Sequence, residues 1–227
     1  MGNQRAFNSV PEVIVVLVAV IFGIELAFQL GGQGVIGGPA AVGWRIKAIE
    51  GYTISPLVLE WMVDRQDFRL DLSRRLVTYA FVHVSLVHAV FACGMLLALG
   101  KFVGDVWNRF SLLLVLLVAT VAGALVHGMT AEPQQPLVGA YPAIYGLIGA
   151  FTYLVWLRIE QEGGNRLAAF RMIGMLLGMQ LLFGLIFGST PHFVADVAGF
   201  AAGLMVSPLL GPGGWARFID RMRQRSD

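Results

Sequence analysis

An internal disulfide framework is closed to this chain, because its 227 residues include one cysteine, Cys93, set inside an apolar run. Charge is scarce too. Asp, Glu, Lys and Arg make up 13% of the residues, against roughly 25% in an ordinary soluble domain. A net charge of +2, with its positive residues spread among loops, excludes the basic surface that nucleic acid requires. What the chain has instead is apolar mass: 57% hydrophobic residues and a mean hydropathy of +0.73. That composition belongs to an integral membrane protein. At about 20 residues per crossing, the length accommodates six helices with short connections in one domain.

Apolar runs place those crossings at residues 11–30, 76–100, 110–129, 138–157, 167–188 and 193–210. The first follows Arg5, but it exceeds a signal-peptide core and no A-x-A site follows, so it reads as a retained helix. Glu25 lies inside it and must face other helices, approach a membrane surface or be protonated. Residues 31–75 form a long first loop, glycine-rich and then mixed in character. Trp44, Tyr52 and Trp61 point to the membrane interface for part of it. The expected organisation is a tail over residues 1–10, an all-α polytopic membrane domain over 11–211, and a basic amphipathic tail over 212–227. In that last tail, Trp215, Phe218, Ile219 and Met222 share a helical face.

Lys101, Arg109, Arg158 and Arg166 occupy the loops on one side of the bundle, whereas residues 130–137 and 189–192 contain no Lys or Arg. Both termini are therefore expected on the cytoplasmic side of a cell membrane. The run 138–157, VGAYPAIYGLIGAFTYLVWL, organises the rest. Its small residues, and the four-residue spacings Gly139/Ala143, Gly184/Gly188 and Gly199/Gly203, predict close helix approach, with the fourth and sixth spans in direct contact.

Three patterns in order, FVHVSLVHAVFACGMLLALG, GAYPAIYGLIGA and ADVAGFAAG, resemble the rhomboid intramembrane serine proteases over about residues 75–210. The resemblance implies a six-helix bundle with a long first loop. It places His83 and His88 at histidine positions of the family, Arg75 at the entry to the second helix, and Gly139, Tyr145, Gly199 and Gly203 at structural positions. His83, His88, Gly139 and Tyr145 would line the former site. The family's nucleophilic serine falls on Tyr141 and the glycine after it on Pro142. Its general-base histidine falls on Asp196, and its oxyanion-binding asparagine on Ala92.

Each replacement removes part of an acyl-transfer apparatus. Such chemistry needs an activated nucleophile and donors aimed at the developing oxyanion. A phenol with an ordinary pKa near 10 is a poor nucleophile, and an ordinary carboxylate is a weak base. Proline supplies no backbone N–H, and alanine no side-chain donor. No catalytic residue is therefore expected, and the resemblance implies a pseudoprotease that binds or escorts another transmembrane protein. The alternatives are an endopeptidase with an atypical site, including a Tyr141–Asp196 dyad, and a small transporter or channel.

No cofactor and no metal are expected. His83, His88, His127 and Asp196 supply ligand types, but a five-residue separation on one helix turns His83 and His88 some 140° apart. Ser85 reads as a hydroxyl bonded to its own helix. Asp196 needs a partner within the bundle, and the Tyr141 hydroxyl is the expected donor.

Overall fold

The structure is a computed structural model, described over residues 10–178 and 192–211. Among the described residues five helices have the length and hydropathy to cross a membrane. These are α1 (Glu12–Gly32), α4 (Leu86–Gly104), α5 (Arg109–Thr130), α6 (Tyr141–Gln161) and α7 (Phe193–Leu210). The long first loop adds α2 (Trp44–Tyr52) and α3 (Pro56–Asp64), then single turns at Leu70–Ser73 and Arg75–Thr78. The part of the expected fifth span over 179–188, with Gly184 and Gly188, and the tail over 212–227 lie outside the described residues. Residues 171–178 are helical.

Caps set where the spans begin. Asn108 accepts from the backbone N–H groups of Phe110 and Ser111 at 3.0 Å each, opening α5, and Ser85 accepts from that of His88 at 3.2 Å, opening α4. The second span therefore starts at Leu86, ten residues later than hydropathy predicts. Within residues 76–85, Tyr79, Ala80, Val82 and His83 are buried against protein, whereas Val84 is exposed. Tyr79 is fully buried there, and its hydroxyl donates to the Thr120 carbonyl at 2.8 Å. The fourth span likewise starts at Tyr141, not at Val138. Leu137 donates to the Ile54 carbonyl at 2.8 Å, pinning an extended lead-in to the first loop, and Gly139 has φ +91°, incompatible with a helix.

α6 and α7 pack at backbone distance, as the spacing of Gly199 and Gly203 predicts, whereas Gly139 lies outside α6 and faces His88 instead. A methyl group on Gly199 would strike the Pro142 backbone, and one on Gly203 the Gly146 backbone. Gly149 faces the Phe200 carbonyl in the same seam. Without a hydrophobic drive in lipid, such close contact is what holds two spans together. α5 completes the three-helix centre, and α1 lies against α4 at the periphery, so most of its surface faces outward.

The first loop is fastened down. Arg75 donates to the Glu50 carbonyl at 2.8 Å, the Thr78 hydroxyl to the Tyr52 carbonyl at 2.7 Å, and the Leu57 N–H to the Pro133 carbonyl at 3.2 Å. Trp61, Phe68 and Leu70 remain exposed, in keeping with an interfacial position.

Glu25 faces inward and is paired. Arg45 of α2 holds it with two hydrogen bonds of 2.8 and 2.7 Å, Gln29 adds a third at 3.0 Å, and Arg45 also donates to the His83 carbonyl. The carboxylate is 1% exposed. A single ion pair thereby joins the first span, the first loop and the segment entering α4.

Candidate functional site

Alternating spans bring the end of α1, the starts of α4, α6 and α7 and the end of α5 to one end of the bundle. All four histidines of the chain collect there. His83 precedes α4 and is not on it, so the helical-wheel separation expected between it and His88 does not apply. The two rings meet edge to face, with centroids 5.2 Å apart. On the other side of the end, His127 at the close of α5 and His192 at the start of α7 place their rings 5.4 Å apart.

Tyr141 stands between these elements as the first residue of α6. Its ring stacks on His88 with centroids 4.7 Å apart and planes 14° from parallel. The expected bond to Asp196 is not the one formed. Stacking on α4 carries the hydroxyl toward the first turn of that helix, where it donates weakly to the His88 carbonyl at 3.5 Å. The lead-in to α6 is shaped for this arrangement. Gly139 takes its positive φ where a side chain would collide with the His88 ring, and its N–H donates to the Tyr79 carbonyl at 3.1 Å. The Ala140 N–H then donates to Nε2 of His83 at 3.4 Å.

The remaining expected positions surround this stack. Ala92 lies one turn along α4 from His88 and is fully buried, presenting only a methyl group. Pro142 is in the first turn of α6, where its missing N–H breaks no helical bond, and it abuts Gly199. Tyr145 is 4% exposed on the next turn. Asp196 is 3% exposed in the first turn of α7, where the positive end of the helix favours a carboxylate.

Among the described residues no hydroxyl or thiol is hydrogen-bonded to an imidazole: His83 Nε2 meets a backbone N–H, and His127 Nε2 lies 3.0 Å from the Gln135 carbonyl. The Ser85 oxygen is engaged as the cap of α4, on its own helix as the sequence suggests. The Tyr141 hydroxyl is bonded to the His88 carbonyl and not to its ring. Among the described residues, no three His, Cys, Asp or Glu side chains gather closely enough to hold a metal ion.

The structure brings Tyr141, His88, His83 and Gly139 into contact, with Ala92, Pro142, Tyr145 and Asp196 buried on α4, α6 and α7. Sequence reasoning passed over His192, although a histidine just before an apolar run is itself a visible signal, and over Arg45, whose partner lies 20 residues away on another element.

Fold and site together define a polytopic, all-helical membrane protein whose spans gather a polar, histidine-rich cluster at one end. Residues 72–213, more than half of the chain, match the model of the Rhomboid domain. The chain belongs to the rhomboid family. No curated protein matches it.

Proposed function

We propose that this chain is a rhomboid-fold pseudoprotease, which binds or escorts other transmembrane proteins without cleaving them. The observation that carries this reading is the stack of Tyr141 on His88. By resemblance to the family, Tyr141 stands where the nucleophilic serine would be, and its ring takes up the space an acyl substrate would need. The replacements at Pro142, Ala92 and Asp196 remove a backbone donor, a side-chain donor and a base from the same reaction. The reading requires no cofactor and no metal. It places the chain in a cell membrane with six spans, both termini on the cytoplasmic side, and a transmembrane segment of another protein as partner. Binding without cleavage is carried over from the family's engagement of membrane segments, an analogy of fold.

The test is reconstitution of the purified full-length protein in liposomes with fluorescent single-span substrates, beside copurification from native membranes. No cleavage above protein-free liposomes is expected, with a membrane protein recovered in stoichiometric amount. Cleavage abolished by Tyr141→Phe or Asp196→Asn would establish an atypical endopeptidase instead, and recovery of a lone monomer would remove the escort role.

A further inference from the structure

A crevice of about 430 Å³ lies between α1 and the first loop. Val20, Ile24 and Phe28, one residue every four along α1, form one wall. Ala48 and Tyr52 of α2 and Phe81 face them, and Thr78 and Val82 close the back. From Val20 to Phe28 the wall climbs about 12 Å along the helix axis. Its lower end belongs to a membrane-crossing helix, and its upper end to a loop that carries interfacial aromatic residues. The hollow thus runs from hydrocarbon depth to headgroup level.

Two guanidinium groups stand over aromatic rings at the upper rim. Arg45 lies 5.2 Å from the centroid of Phe28, and Arg74 lies 4.5 Å from that of Tyr52. Their charges are in different states. Glu25 balances Arg45, whereas among the described residues no carboxylate comes within 4 Å of Arg74, which is exposed. An apolar trough below and an unbalanced cation above match an amphiphile with an acyl chain and a negative head. Guanidinium in particular suits phosphate oxygens.

We propose that the crevice between α1 and α2 is a binding site for an anionic phospholipid, one acyl chain lying along Val20, Ile24 and Phe28 and the phosphate on Arg74. Basic groups at the mouth of an apolar cleft between membrane elements are the general chemistry of such recognition. Bound there, the lipid bridges the first span and the first loop beside the Glu25–Arg45 pair.

The test is native mass spectrometry of the full-length protein, released from detergent after incubation with equal amounts of phosphatidylglycerol and phosphatidylcholine of identical acyl chains. At least fivefold preferential retention of phosphatidylglycerol is expected. Arg74→Gln should bring the ratio near one, and Ala48→Phe, which fills the trough, should reduce retention of both lipids at least fivefold. Val20→Phe fills it from the opposite wall and serves if Ala48→Phe fails to fold, as judged by its thermal midpoint. Excess glycerol phosphate should leave the retained lipid in place. Equal retention of the two lipids by the unaltered protein overturns the proposal. So does a preference that survives Arg74→Gln, undiminished retention in the trough-filling variants, or displacement by glycerol phosphate.

Discussion

At the scale of single residues, the molecule depends on polar groups placed where their partners are unavoidable. Glu25 would be costly alone in a span, and Arg45 answers it with a two-pronged contact at 2.7 and 2.8 Å. Glu25→Ala leaves that guanidinium without its partner in a largely buried place, so a loss of about 3 kcal/mol is expected. Unfolding in detergent, followed by circular dichroism, measures it, and Glu25→Asp should recover part of the loss. Gly139 is a second such residue. With φ +91° and the His88 ring where a side chain would begin, Gly139→Ala is expected to cost about 1–3 kcal/mol. The same denaturation curve reports it, and the Tyr141–His88 stack should loosen with it. Little of this was legible beforehand. Glu25 announced a need for a partner, but nothing in the sequence pairs positions 25 and 45, because the pairing is made by how the first loop folds back on α1.

At the scale of elements, hydropathy located the crossings and capping chemistry moved their ends. The run from residue 76 to 100 reads as one helix only if apolar character means lipid contact. In the structure its first ten residues form short turns outside α4, with Tyr79, Ala80 and Val82 buried and Tyr79 bonded to the Thr120 carbonyl of α5. The signal that corrects the boundary is Ser85, a capping residue just before an unbroken apolar helix. Ser85→Ala is expected to weaken the start of α4 by about 1 kcal/mol. Hydrogen exchange at the amide of His88 should rise in that variant. The contact of α6 with α7 was legible from small-residue spacing, since only residues without bulk permit backbones to meet. Its other half, Gly146 and Gly149, was visible only once the partner faces were known. Gly203→Leu drives a side chain into the Gly146 backbone and is expected to cost about 3 kcal/mol or more. Loss of the folded monomer peak in size-exclusion chromatography would register it.

At the scale of the whole molecule, the alternation of spans carries four histidines, Tyr141 and Asp196 to one end and the loops at 105–108 and 162–165, flanked by Lys101, Arg109, Arg158 and Arg166, to the other. Reporter fusions inserted at 131–136 and at 162–165 are therefore expected on opposite sides of the membrane, the second of them cytoplasmic. The candidate residues of the site could be named from the sequence, because a resemblance assigns each to a position. The geometry was not legible there: the stack of Tyr141 on His88 follows from the turn at Gly139 and from His83 lying off the helix. The central claim is that this end of the bundle holds no activated nucleophile. It is met most directly by treating the full-length protein in liposomes with a fluorophosphonate, a reagent whose phosphorus is attacked by activated serines and some tyrosines with loss of fluoride, and reading the intact mass. The mass is expected to remain that of the unmodified chain. A stoichiometric adduct on one residue at this end of the bundle, lost on heat denaturation before treatment, would contradict the claim.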